Sequence, residues 1–293
     1  MSCGDYEIFA DCRCTVGEGP LWNDKEKALY WVDLTGGIVY RKKDGTPPHG
    51  FEKFKLQIGK IGGMVFTADG ALLLFAEKGR VWRWSAEREP VLCFELSEAA
   101  ESRFNDVIAA PDGGVYCGVA PTKNRAGSLW YLSPSGGFSL VEPDLKGMPN
   151  GMGFSPDKSF FYFTVSDERT IYRYSYNSSA GTLSDKRAFI RVPQDEGLPD
   201  GMTVDSGGNI WSAQWEGARI VKYSADGEKI AEYRFPISKV TALAFGSAAY
   251  DKLFVTTANY PWVEDAYNLQ QSGKVFEISD VGIGMKEFEA KAP

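Results

Sequence analysis

The chain has 293 residues, 43% hydrophobic and 24% charged, a balance that lets a globular protein bury a sizeable core. Its formal net charge of −7 and the lack of any basic block argue against nucleic acid or an anionic membrane surface as a partner, since both need a positive footprint. No apolar run approaches the ~18 residues of a membrane helix, and 14% aromatic residues with 32 glycines and 15 prolines predict short strands joined by turns.

The opening Met1-Ser-Cys-Gly-Asp-Tyr-Glu has no basic start, apolar stretch or cleavage site, so a cytoplasmic protein is expected. Cysteines at 3, 12, 14, 93 and 117 form an odd set without framework spacing, which fits free thiols in a reducing compartment. Residues 6–16 read as a strand. On it Cys12 and Cys14 share one face, either as buried residues or as a metal pair.

The rest of the chain repeats one pattern: a short apolar strand, a polar turn, a stronger strand, a second turn and a third strand. The first unit has Gly-Pro-Leu-Trp at 19–22, then 28–33 and 38–42; the second has 63–66, 71–76 and 80–84; the third has 107–109, 115–119 and 128–132. The fourth follows with 152–154, 160–164 and 170–176, the fifth with 202–204, 210–213 and 219–223, and the sixth with 242–245, 252–256 and 274–278. Polar segments at 53–57, 91–95, 187–191 and 228–235 supply outer strands, and only 97–102 suits a helical turn. Just ahead of each first strand is an equivalent slot, held by Glu18, Gly62, Asn105, Asn150, Asp200 and Thr241. A period of roughly 40–50 residues with strands as its parts is the signature of a propeller. The expected fold is therefore all-β: one domain over 1–293, a six-bladed β-propeller with four antiparallel strands per blade. The N-terminal strand completes the sixth blade and so closes the ring, leaving no open edge.

In a propeller the six slots converge on one mouth of the central channel. Glu18, Asn105, Asn150 and Asp200 bring carboxylate and amide oxygens there, the donors that hard cations such as Ca²⁺, Mg²⁺ and Mn²⁺ take. Asn and Asp before Gly also suit turns, but turn residues fall anywhere in a loop, whereas these share one register. The only histidine is His49, in a Pro-Pro-His-Gly loop that reads as surface; a His-rich zinc site is excluded, and a Ser-His-Asp triad would have to recruit it. There is no P-loop, dinucleotide fingerprint or EF-hand, so enzymatic work would fall to a metal and carboxylates.

Gly17-Glu18-Gly19-Pro20-Leu21-Trp22, Leu29-Tyr30-Trp31-Val32-Asp33, Arg103-Phe104-Asn105-Asp106, Pro149-Asn150-Gly151, Pro199-Asp200-Gly201-Met202 and Gly273-Lys274-Val275-Phe276 together resemble the family of senescence marker protein, gluconolactonase and luciferin-regenerating enzyme, which includes regucalcin. The resemblance covers about 15–280. It implies one divalent cation (Ca, Zn, Mg, Mn or Fe) held by Glu18, Asn150 and Asp200, with Arg103 and Asn105 facing the substrate and Asp200 also serving as the catalytic residue. The implied activity is hydrolysis of a sugar or aldonic acid lactone. Because a cation-held carboxylate is a weakened base, Asp200 either takes the proton of the attacking water or only positions it. Two other readings stay open: a calcium-binding regulatory protein without turnover, and a metal-dependent esterase or phosphotriesterase on the same fold. Where sugar lactonases of the family place a substrate-binding glutamate, after the third blade's middle strand, this chain has Ala120-Pro-Thr-Lys-Asn-Arg125. Lys123 and Arg125 there read either as a solvated loop or as contacts to an anionic group. Trp215, Tyr260 and Trp262 read as loop residues that suit either the pocket wall or packing between blades.

Overall fold

In the computed structural model, which describes residues 6–260 and 270–291, the repeated runs become six four-stranded antiparallel sheets. Blade 1 is β2 (Gly17–Asn23), β3 (Ala28–Asp33), β4 (Ile38–Lys43) and β5 (Glu52–Lys55). Blade 2 is β6 (Ile61–Phe66), β7 (Leu72–Ala76), β8 (Arg80–Trp84) and β9 (Val91–Glu95). Blade 3 is β10 (Phe104–Ala109), β11 (Val115–Val119), β12 (Gly127–Leu132) and β13 (Phe138–Leu145). Blade 4 is β14 (Pro149–Phe154), β15 (Phe160–Val165), β16 (Thr170–Asn177) and β17 (Thr182–Arg191). Blade 5 is β18 (Leu198–Val204), β19 (Ile210–Trp215), β20 (Arg219–Tyr223) and β21 (Lys229–Arg234). Blade 6 is β22 (Val240–Gly246), β23 (Lys252–Thr257), β24 (Val275–Ser279) and, from the other end of the chain, β1 (Tyr6–Ala10). The ring closes as expected, by pairing Tyr6 with Ile278 and Ile8 with Phe276.

Burial falls from the axis outwards, which explains the sequence pattern. Inner strands β6, β14 and β22 are buried along their whole length, whereas β5 and β9 on the rim have no fully buried residue. Apolar side chains on both faces of the middle strands gather into six clusters among the described residues, one at each junction between neighbouring blades. Trp31, Trp211, Phe75, Phe161 and Phe254 are among the large side chains fully enclosed there. The outer strand of blade 3 carried no sequence signal because Pro143 interrupts it, and proline is tolerated in a sheet only at an edge such as this.

Two local readings are corrected. β1 ends at Ala10, and Asp11–Cys14 is not strand: Arg13 adopts a left-handed φ of 52° and bends the chain. The inner strands also begin earlier than their apolar runs suggest, so the six slots lie inside them. In every blade the slot coincides with a break in register between the inner and second strands: Glu18/Leu21, Ile61/Gly63, Phe104/Val107, Pro149/Met152, Pro199/Met202 and Val240/Leu243. A bulge twists its strand and re-aims a side chain, which is how polar residues enter a strand otherwise buried on both faces.

Residues 280–291 had no role in the sequence pattern. They form a strap across the ends of the inner strands opposite the slots. Ser206 N–H donates to Ile283 O at 2.8 Å, Gly284 N–H to Tyr250 O at 2.8 Å, Ala290 N–H to Phe66 O at 2.8 Å and Lys291 N–H to Gly113 O at 2.8 Å. Phe288 stacks edge-on against Phe154, and Glu287 lines the channel cavity of about 60 Å³ together with Asp106. Burial pushes the Glu287 carboxyl up to about 7; a hydrogen bond with Thr203 opposes this and the like charge of Asp106 adds to it. The folded chain thus holds this proton more tightly than the unfolded chain, whose glutamates titrate near ~4.3. The contribution favours the fold below that value and is lost as pH rises through about 7. Glu287→Gln is expected to raise unfolding free energy by about 3 kcal/mol at pH 8 and to change it little at pH 4, as read by urea denaturation at both pH values.

Candidate active site

At the slot mouth a cavity of about 380 Å³ is lined by Glu18, Arg103, Asn105, Asn150 and Asp200, so the five residues singled out in the sequence share one pocket. They come from blades 1, 3, 4 and 5. Glu18 reaches the pocket because the segment ahead of β2 is anchored: Thr15 N–H and Val16 N–H donate to the Asp33 carboxylate at 2.9 and 3.2 Å. Asn105, Asn150 and Asp200 are each less than 10% exposed.

A hydrogen-bond chain runs around the mouth and fixes these groups across blade boundaries. Arg103 Nη1 donates to Asn105 Oδ1 at 2.5 Å and to Phe104 O at 3.1 Å. Asn105 Nδ2 donates to Pro149 O at 2.8 Å and to Asn150 Oδ1 at 2.9 Å. Asn150 Nδ2 donates to Ser166 Oγ at 3.0 Å, and Ser166 Oγ–H donates to Pro199 O at 2.6 Å. Asn150 Oδ1 is left with one acceptor position beyond the bond from Asn105. Farther round, Thr241 Oγ1 donates to Gly17 O at 2.6 Å and ties blade 6 to blade 1.

The electrostatics are dominated by enclosed carboxyl groups. Burial raises the Glu18 carboxyl well above the usual range, with Asp200 and Asp106 adding like charge and Arg103 opposing. Asp200 is raised in the same way, first by burial and then by Asp106, again against Arg103. Asp106 is pushed up to about 6 by burial, and Arg103 is lowered by burial despite Glu18 and Asp200. One guanidinium does not balance these carboxylates. Among the described residues no three His, Cys, Asp or Glu side chains form a metal cluster; the donor set is two carboxylates with an amide oxygen, which suits a hard divalent cation.

Trp215 and Tyr260 line the pocket, their rings 6.3 Å apart and inclined at 66°, with Trp215 at the end of β19 rather than on a loop. Trp262 lies outside the described residues. Lys123 and Arg125 are exposed, and the Arg125 guanidinium bonds the backbone of Glu98; neither lines the pocket, so the solvated-loop reading holds. His49 is exposed in its turn. Sequence reasoning missed Thr35, Ser166 and Asp167, which also line the pocket. The signal was positional: Thr35, Ser166 and Tyr260 each follow the second strand of a blade, and Trp215 ends one, so that end of every second strand faces the mouth.

The family described as SMP-30/Gluconolactonase/LRE-like region matches residues 16–259. Pentonolactonase XacC of Haloferax volcanii is 40% identical over 290 residues, covering 96% of each chain. Regucalcin of Xenopus laevis is 29% identical over 293 residues, covering 97% of each. The solved structure of a luciferin-regenerating enzyme superposes with a TM-score of 0.88 at 23% identity, covering 98% of this chain and 99% of that one. It shows the same fold.

Replacing Asn105 with leucine removes the donor to both Pro149 O and Asn150 Oδ1 while filling similar space. Leaving buried acceptors unpaired is expected to lower unfolding free energy by about 1–3 kcal/mol, measured by urea denaturation.

Proposed function

Because the chain belongs to the SMP-30/gluconolactonase/LRE-like family, we propose that it hydrolyses sugar and aldonic acid lactones, with a divalent cation held by Glu18, Asn150 and Asp200. The observation that carries the reading is the excess of buried carboxylate at a pocket edged by a guanidinium, amides and aromatic rings. The 40% identity to a protein named pentonolactonase supports an aldonolactone as substrate.

When bound, a divalent cation polarises the lactone carbonyl and acidifies a neighbouring water. Glu18 and Asp200 offset its charge, and this role explains why two carboxylates are kept in a place that penalises both. Asn150 presents Oδ1 in a fixed direction because Asn105 and Ser166 hold both ends of its amide. Arg103 is oriented by the Phe104 carbonyl and by Asn105, and its remaining N–H groups serve the substrate's ring oxygens and the oxyanion that develops as water adds to the carbonyl. Asp200 accepts the proton of the attacking water or, as a cation ligand whose charged form is favoured, only positions that water. The ring oxygen then leaves as the alcohol of an open-chain acid. Trp215 and Tyr260 offer faces to the sugar's C–H surface.

A pH-stat screen of aldonolactones against organophosphates, combined with chelation, tests this. Acid release from at least one aldonolactone is expected, lost on chelation and restored by a divalent cation. Asp200→Ala is expected to lower kcat/KM by about 10²-fold or more with β-type circular dichroism retained. Undiminished turnover after exhaustive chelation, or tight Ca²⁺ binding in calorimetry with no lactone opened, would remove the proposal. Ser166→Ala loosens the Asn150 amide, and an activity or cation affinity lower by about 10–100-fold is expected.

A further inference from the structure

The bend at Asp11–Cys14 brings together two thiols that the lactonase reading does not use. Cys14 Sγ lies 3.4 Å from Cys12 Sγ and donates to it, while Cys12 Sγ is 3.2 Å from Gly273 O. The bend is made by Arg13, a non-glycine residue at φ 52°. Such a conformation is uncommon for a side-chain-bearing residue and persists only where its surroundings enforce it. Here the surroundings are specific: Cys14 N–H donates to Gly273 O at 2.8 Å and Cys14 O accepts from Asn259 N–H at 3.1 Å, so the segment is pinned from both sides. The two sulfurs are not equivalent. Cys14 is fully buried, whereas Cys12 keeps part of its surface. Trp31, completely buried, lowers both thiols through its indole. The Cys12 thiol is lowered, chiefly by the Cys14 hydrogen bond, and the Cys14 thiol is raised, chiefly by burial.

We infer that Cys12 and Cys14 form a reversible redox modification site, in which a peroxide oxidises Cys12 and Cys14 resolves it to an intramolecular disulfide. The Cys12 thiolate attacks one peroxide oxygen: an S–O bond forms, the O–O bond breaks and hydroxide leaves, giving a sulfenic acid at Cys12. Cys14 sulfur then attacks the Cys12 sulfur; the S–S bond forms, the S–O bond breaks, and the hydroxyl leaves as water with the Cys14 proton. Two thiols and one hydrogen peroxide become one disulfide and two waters. Closing the bond takes the sulfurs from 3.4 Å to about 2.05 Å, a short movement of side chains already facing each other. A low-molecular-weight thiol reverses it by exchange.

The full-length protein with Cys3→Ser, which leaves Cys12 as the only cysteine before Arg13, is treated with hydrogen peroxide, alkylated and digested with trypsin. Cleavage after Arg13 separates the two cysteines in the reduced protein. The expected result is a loss of two alkylatable thiols per chain, the Cys12 and Cys14 peptides joined, and return of both thiols after dithiothreitol. In the same background Cys14→Ala is expected to trap a dimedone adduct at Cys12, and Cys12→Ser to give no disulfide and no adduct at Cys14. Both thiols remaining free at peroxide levels that oxidise the half-buried Cys93, a disulfide linking either to another cysteine, or dimedone labelling at Cys14 in place of Cys12 would overturn the assignment. The peptide mapping of the Cys3→Ser protein stands even if a further substitution impairs folding.

Discussion

The close approach of the six inner strands around the axis is the constraint on which the rest of the molecule depends. Their backbones come so near that a Cβ at Gly62 would collide with the carbonyl of Phe104, and one at Gly151 would lie 2.5 Å from the amide nitrogen of Met202. Such contact leaves no room for regular pairing and side chains together, and every inner strand relieves it with a bulge at the same step. The bulge sets the direction of the slot side chain. Glu18, Asn105, Asn150 and Asp200, separated in the chain by 87, 45 and 50 positions, therefore meet in one pocket because one backbone irregularity recurs, with no loop needed to carry them there.

That arrangement is electrostatically unfavourable in itself. Carboxylates at the mouth are buried and repel one another, and the strap adds Glu287 at the far end of the same channel. A protein with nothing to bind there would gain by replacing them with apolar groups. Groups retained against their own electrostatics are the signature of a functional site, and the hydrogen-bond chain from Arg103 to Pro199 holds the neutral partners in fixed orientations around them. The strap also separates the two ends chemically: the slot mouth opens to a polar pocket, whereas the other end is covered by Phe288 and backbone hydrogen bonds.

Much of this was legible in the sequence. The recurrence of a slot before an apolar run gave the blade count, and the apolar N-terminal strand gave the closure, because both follow from burial on two faces. That Glu18, Asn105, Asn150 and Asp200 share one pocket was legible from their common register ahead of each apolar run. What lacked a periodic signal was missed. The strap pairs with no ladder beyond one parallel bridge at Thr67 and Ala290, so neither a period of two nor a turn code marks it. Ser166 and Asp167 read as ordinary turn residues after a strand, and their exposure to the pocket follows from the radial order of strands, which local sequence does not encode. The outer strand of blade 3 was hidden by Pro143, since tolerance of proline depends on being at an edge.

Blade 3 shows how little change is needed to differentiate one blade within this repeat. Gly19, Gly63, Gly151 and Gly201 follow the slot in blades 1, 2, 4 and 5, while Asp106 follows it in blade 3 and Ala242 in blade 6. The position after the slot faces the channel, so glycine there leaves the channel narrow and inert. Asp106 instead puts a carboxyl into it, where Asp106 raises both Glu18 and Asp200 from behind the pocket. Its own N-terminal neighbour, Asn105, faces the mouth and orients Asn150. Two consecutive residues on one bulged strand thus serve the two directions of the axis, one setting geometry and the other setting charge, and a single substitution in a repeated motif is enough to give one pocket an electrostatic character that a symmetric ring would lack.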